Sequence, residues 1–235
     1  MTTRSRPPLV PMVLAIVAVL AGTGAYAAWL AIPRAPAFHG TTYDVVEPPP
    51  EFRLVDTQGR PATLASYRGR PVLVFFGYTS CPDVCPLTLD RLARAVRELG
   101  DDAGGARILF VTVDPKRDTP DVLRRYASRF GPGVTALTGD SAALAAAWQG
   151  YSVYVMPRDG KSAPASPSWA RAAPASPSFG HDTHASHNVS AASAGPLAHS
   201  AGIYGIDRAG NLRVVITEGA TEESMRDDVR TLARL

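Results

Sequence analysis

The chain has 235 residues, 46% hydrophobic and 19% charged, enough for one domain with additional segments and too apolar for wholesale disorder. Its 24 basic and 21 acidic residues nearly cancel, at a net charge of +3, and the basic residues form no dense run, which excludes nucleic acid as a partner. Two cysteines exclude a disulfide-stapled mini-protein and a four-cysteine zinc site. They leave a disulfide, a redox pair or a mixed-ligand metal site.

Residues 1–8 carry Arg4 and Arg6, and residues 9–32 are 24 positions without a charge, followed by Arg34. At about 1.5 Å per residue that stretch crosses a hydrocarbon core of about 30 Å. With the N-terminal arginines held in the cytoplasm, everything after Arg34 lies on the far side of the membrane. A cleaved signal peptide is the alternative, with Ala25-Tyr26-Ala27 as its cleavage site. The apolar character continues through Trp29 to Ile32, which favours a retained transmembrane anchor. Both readings export the rest of the chain. Residues 33–50 end in Pro48-Pro49-Pro50 and read as a semi-rigid spacer.

The domain proper is expected over 51–235. Val72-Leu-Val-Phe-Phe76 and Ile108-Leu-Phe-Val-Thr-Val113 are continuous apolar runs of the kind that forms strands buried on both faces. Between them, Leu89, Leu92, Ala93, Val96 and Leu99 recur at helical spacing, so 85–99 is an amphipathic helix and the two strands are parallel. Thr119 as N-cap and Pro120 at the first helical position open a helix over 119–130. A shorter helix at 141–148 and a strand at 151–155 follow. Strands at 202–206 and 212–216 flank Asp207-Arg-Ala-Gly-Asn211 as a hairpin, and a helix over 221–235 closes the chain. The order is α/β with a central mixed sheet flanked by helices.

Residues 157–198 interrupt this pattern. They contain Ala163-Pro-Ala-Ser-Pro-Ser-Trp169 and, ten positions on, Ala173-Pro-Ala-Ser-Pro-Ser-Phe179, a low-complexity duplication. So long a stretch without structure is unusual inside a compact domain; the expectation is a disordered insertion over 157–198, of which 162–193 is dispensable for folding, with 51–156 and 199–235 folding together.

Both cysteines fall in Gly77-Tyr-Thr-Ser-Cys81-Pro-Asp-Val-Cys85-Pro86, at the end of the first buried strand and the start of its helix, where α/β proteins place their sites. A helical turn between Cys81 and Cys85 brings both sulfurs to one face, and the helix N-terminus favours thiolate. A structural disulfide over so short a loop removes little chain entropy, and the spacing is one residue longer than a C-x-x-C redox pair. The extra residue argues for chelation; two thiolates select Cu(I), or Zn(II) with two further ligands.

Histidine is the usual next ligand. His39 lies in the spacer and reads as incidental. His181, His184 and His187 lie in the insertion, a tract suited to loose binding of Cu(II) or Zn(II). His199 stands at the mouth of the strand at 202–206. Met156 offers a thioether but lies at the end of an apolar strand, where a core role is the simpler reading.

Gly77-Tyr-Thr-Ser-Cys-Pro-Asp-Val-Cys-Pro86, then Val111-Thr-Val-Asp-Pro-Lys-Arg-Asp-Thr-Pro120, then His199-Ser and Ile203-Tyr-Gly-Ile-Asp-Arg-Ala-Gly210 together resemble the Sco/SenC family of copper chaperones for cytochrome c oxidase assembly. The resemblance covers about 51–156 and 199–235. It implies a thioredoxin-like fold with an inserted hairpin and one copper per chain held by Cys81, Cys85 and His199. It places Asp114 at an acidic position near the metal. The client it implies is the binuclear copper site of oxidase subunit II, with another periplasmic copper chaperone as a possible donor, and a location on the inner membrane with the domain outside the cytoplasm. The insertion, with its three extra histidines, departs from the family pattern. Two further readings use the same thiols: a thiol:disulfide oxidoreductase that keeps the oxidase copper-site cysteines reduced, which has no need of His199, and a peroxidase.

Overall fold

A computed structural model describes residues 9–30, 37–155 and 202–235. Met156, the segment 157–198 and His181, His184, His187 and His199 lie outside the described residues. Two compact units divide at Pro36/Ala37.

The first unit holds α1 (Leu9–Leu30), whose sequence has no charge and whose described side chains are all exposed, Leu14, Val19 and Leu20 among them. Among the described residues no helix is long and apolar enough to cross a membrane.

The second unit is built on an eight-stranded sheet: β1 (Thr41–Glu47), β2 (Leu54–Asp56), β3 (Pro61–Ala62), β4 (Val72–Gly77), β5 (Arg107–Thr112), β6 (Val134–Thr138), β7 (Gly202–Ile206) and β8 (Leu212–Thr217), in spatial order β1-β8-β7-β4-β5-β6-β2-β3. β4, β5 and β6 are parallel and every other pairing is antiparallel. α2 (Val84–Leu99), α3 (Pro120–Ser128), α4 (Ser141–Gly150) and α5 (Glu222–Arg234) complete the unit.

The two apolar runs explain the centre. All six residues of β4 are buried, Phe75 and Phe76 completely, and β5 beside it buries Ile108, Leu109, Phe110 and Val111. At roughly 1.5–3 kcal/mol for each large side chain, this pair of strands carries much of the hydrophobic stabilisation. α2 buries Leu89, Leu92, Ala93 and Leu99, and it packs against α5, which buries Met225, Val229 and Leu232. The expected caps form: Thr119 accepts the Val122 N–H at 3.4 Å with Pro120 at the first position, and Thr221 accepts the Ser224 N–H at 3.2 Å. The hairpin at 202–217 also stands where its sequence put it.

Two expectations change, and one central strand is new. Residues 151–155 do not form a strand. Val153 N–H returns to the Trp148 carbonyl at 2.7 Å and Ser152 N–H to Gln149 at 3.1 Å, with Ser152 left-handed at φ 55°. The chain is finishing α4, whose orphan carbonyls take the donors a sheet would have used. Residues 33–50 are not spacer throughout, because β1 adds an edge strand to β8. Between α3 and α4 lies β6, too short and too mixed in Val-Thr-Ala-Leu-Thr for an apolar run to mark it.

Candidate functional site

The site begins where β4 runs out. At Gly77 an added Cβ would come within 2.7 Å of the Phe110 ring and 3.1 Å of Cys85 Sγ, so the absence of a side chain there makes room for one of the two thiols. The chain then turns, with Cys81 N–H bonded to the Tyr78 carbonyl at 3.2 Å, and enters α2 at Val84. Pro86 sits in the first helical turn, where its missing N–H costs nothing. Asp83 at the N-cap position makes no side-chain cap. Its place is taken by Cys81, whose Sγ accepts the Cys85 N–H at 3.4 Å. The first turn of α2 therefore directs an N–H at a sulfur, which places partial positive charge there.

Neither cysteine is in a disulfide, and they differ sharply: Cys81 is half-buried and Cys85 only 1% exposed. Cys85 donates its S–H to Cys81. That bond is the largest cause holding the Cys81 thiol down, at about 5, against the opposing effect of burial; backbone N–H groups of Cys85 and Asp83 and the Tyr78 hydroxyl assist. The same shared proton, with burial, pushes the Cys85 thiol up. Tyr78, desolvated and beside Cys81, is pushed up to about 12 and stays a donor. The pair is a nucleophilic thiolate facing a protonated thiol.

Behind the thiol loop is a polar group that sequence reasoning missed. Asp118 is 1% exposed. Its carboxylate accepts the Thr79 N–H at 3.2 and 3.3 Å, the Thr79 hydroxyl at 2.5 Å and the Thr112 hydroxyl at 2.6 Å. Burial pushes its pKa up, against the pull of these donors. Asp118 thus ties the segment leading to Cys81 to the end of β5. A signal existed: Thr112 closes an otherwise apolar buried strand, and a hydroxyl there needs a partner.

Asp114, the acidic residue singled out from the sequence, is buried in the same loop. Its N–H is bonded to Thr112 Oγ1 at 3.0 Å. Its Oδ2 has no hydrogen-bond partner, and the Arg117 Nε is 4.0 Å away, an ion-pair contact too long to be a hydrogen bond. A buried acceptor without a donor costs about 1–3 kcal/mol, and such groups collect at sites.

Of the sequence-predicted site residues, the structure therefore brings together Cys81 and Cys85. Among the described residues no three His, Cys, Asp or Glu side chains form a metal-binding cluster. His199 is three positions before Gly202. β7 pairs antiparallel with β4, Ile203 opposite Phe75, so the described start of β7 lies at the end of β4 from which the cysteine loop departs. The backbone N–H groups of His39 and Gly40 are bonded to Asp228, at 2.7 and 3.1 Å.

Comparison with known proteins agrees with the motifs. The family model SCO1/SenC matches residues 44–167, just over half of the chain. A mitochondrial SCO2 homologue of Bos taurus is 38% identical over 148 residues, 59% of this chain and 55% of the relative, so the chain spans about half the length of that relative. Bradyrhizobium japonicum ScoI, solved with copper bound, superposes with a TM-score of 0.56 at 32% identity, over 78% of this chain and 98% of that one. Apo Sco1 of Thermus thermophilus superposes at 0.62 with 29% identity, over 86% of this chain and all of the other. The chain belongs to the SCO1/SenC family.

Proposed function

We propose that this protein is a membrane-anchored copper metallochaperone that delivers copper to the binuclear copper site of cytochrome c oxidase subunit II. The observation that carries the reading is the thiol pair at the carboxyl end of β4: two soft donors one helical turn apart, one of them held as thiolate. The donor set suits copper as cargo. Cys81 and Cys85 supply the thiolates, His199 an imidazole, and one copper binds per chain. Asp114, with its unpartnered oxygen, lies in the loop beside Asp118, and we assign it a supporting role outside the ligand set. Copper binding releases the proton that the two sulfurs share, and transfer is ligand exchange, with no turnover of an organic substrate.

In this reading α1 is a single-pass anchor in the inner membrane with residues 1–8 in the cytoplasm, and the domain faces the extracytoplasmic side. The 24 uncharged positions of 9–32, flanked by Arg4, Arg6 and Arg34, support this. Another extracytoplasmic copper chaperone is the proposed donor. The segment 157–198 is an insertion, dispensable over 162–193, whose His181, His184 and His187 collect copper weakly.

Full-length protein, reduced and in detergent, should bind one copper tightly. Cys81→Ser, Cys85→Ser and His199→Ala should each abolish or severely weaken that site. A specific observation favours a second reading, thiol:disulfide oxidoreductase: an accessible low-pKa thiolate beside a buried protonated thiol is the arrangement of an attacking and a resolving cysteine. Stoichiometric tight copper retained by His199→Ala, with disulfide exchange intact, moves the assignment to that reading.

A further inference from the structure

Beside the thiol loop is a cleft of about 290 Å³ lined by Thr79, Val122, Arg125, Tyr126 and Arg129. Four of the five come from α3 and the residue that follows it; the fifth, Thr79, is two positions before Cys81. Arg125 and Arg129 are both exposed and stand four apart, on one face of the helix end. Like charges at that spacing repel weakly, and a shared anion relieves the repulsion.

Among the described residues neither guanidinium has a carboxylate within ion-pair distance. Arg124, next in sequence, is neutralised by Asp121 at 2.7 Å, and Arg117 and Arg94 also lie against carboxylates. Arg129 is held flat: its guanidinium carbon is 4.5 Å from the Tyr126 ring centroid and 5.9 Å from that of Phe130, and its Nε reaches the Tyr126 carbonyl at 3.5 Å. Stacking of this kind orients the remaining N–H fork before a ligand arrives. Thr79 adds no donor, since its N–H and O–H are both spent on Asp118. The buried Tyr126 hydroxyl has no hydrogen-bond partner. What the cleft offers is therefore two unneutralised guanidinium groups, one of them preoriented, against a wall that belongs to the cysteine loop.

We propose that this cleft is the docking point for a carboxylate on the acidic surface of the protein with which the Cys81–Cys85 site exchanges copper. The proposal rests on the metallochaperone reading for the identity of that partner, but not for the existence of the cleft. A partner carboxylate between Arg125 and Arg129 places its carrier against Thr79, two residues from Cys81. A bidentate guanidinium–carboxylate contact fixes direction as well as proximity. Charge pairs of this exposed type act mainly on the association rate and its salt dependence.

Two measurements on full-length protein in non-ionic detergent test it. The first titrates a hexaglutamate peptide, with monomeric glutamate as the comparison, into the wild type and into the Arg125→Glu/Arg129→Glu double variant. Binding of the peptide by the wild type, weakened about ten-fold or more in the double variant, is expected. No peptide binding by the wild type, or binding that the double variant retains, overturns the proposal. Monomeric glutamate bound as tightly as the peptide makes the cleft a small-anion site and also overturns it.

The second measurement follows copper transfer to the apo copper domain of oxidase subunit II. The double variant should slow the second-order rate about ten-fold at low salt and flatten its salt dependence. Copper stoichiometry should match the wild type, the double variant should keep the wild-type circular dichroism spectrum, and Arg124→Glu should transfer normally. Normal transfer by the double variant overturns the proposal. Peptide binding in the cleft with no transfer by the wild type upholds the cleft and removes subunit II as the partner.

Discussion

Two buried aspartates hold distant segments of this domain together, and they do so differently. Asp228, on α5, is fully buried and gives one oxygen to the His39 N–H and the other to the Gly40 N–H. It fastens the start of the domain to its last helix, and its acceptors are matched by backbone donors. Asp118 is buried to the same degree, yet it serves two hydroxyls and one N–H at the root of the cysteine loop. Beside it Asp114 keeps an acceptor without a donor. The first region is electrostatically closed and the second is left open on one side. A closed clasp contributes to stability alone; an open one, next to two thiols, contributes to chemistry as well.

The contrast breaks most visibly on deleting each carboxylate. Asp228→Ala strands two backbone N–H groups and should cost about 2–3 kcal/mol in denaturant unfolding, with Cys81 alkylation kinetics unchanged. Asp118→Ala should cost a similar amount and also change the rate at which Cys81 is alkylated, because Thr79 loses its anchor. Equal alkylation kinetics in the two variants would erase the distinction.

Gly77→Ala tests the room given to the thiol. The new methyl meets Phe110 and Cys85 Sγ, overpacking that costs about 1–3 kcal/mol, and tight copper binding should fall in parallel when measured by competition with a chelator. Gly59→Ala is no control for space, because its φ of 76° adds backbone strain. Gly133→Ala, with nothing near its Cβ, is.

A third measurement separates the two sulfurs without altering the fold. In reduced apo protein Cys81 should be alkylated first, its rate rising with pH through a midpoint near 5, while Cys85 remains protected. A single midpoint in the ordinary thiol range for both would refute the shared proton.

The smallest effect is on stability against pH. Burial raises the Asp228 pKa above its ordinary 3.8. A group shifted upward contributes stability that is fully present below the unfolded value and lost as pH rises through the folded one. Acidification from neutrality toward 3.8 should therefore stabilise the wild type relative to Asp228→Asn, read as a difference in melting temperature that grows as the pH falls. A constant difference across that window would show that Asp228 does not titrate there.

What could be read from the sequence divides along physical lines. β4 and β5 were legible because burial on both faces demands an unbroken apolar run, and α2, α3 and α5 because their stripes and caps are local. β6 and the β2–β3 pair were not, since strands of five, three and two residues draw their stability from neighbours in the sheet. The strand expected at 151–155 failed on a local competitor, the carbonyls closing α4, three to five positions back in the chain. At the site, Cys81 and Cys85 declared themselves by type and spacing. Asp118 did not, because nothing local in Lys116-Arg-Asp-Thr119 shows that its carboxylate turns inward; that depends on Thr79, thirty-nine positions away.

The sulfur that caps α2 has one further consequence. Cys81 Sγ accepts the Cys85 N–H most strongly as a thiolate, and a thiolate that binds one metal ion keeps lone pairs with which to go on accepting it. A disulfide to Cys85 removes that negative charge and weakens the bond. The Cys85 amide proton is thus a built-in reporter of redox state. Its exchange with solvent should quicken when the two sulfurs are oxidised to a disulfide and slow again on reduction, on a helix whose remaining turns stay locked against α5.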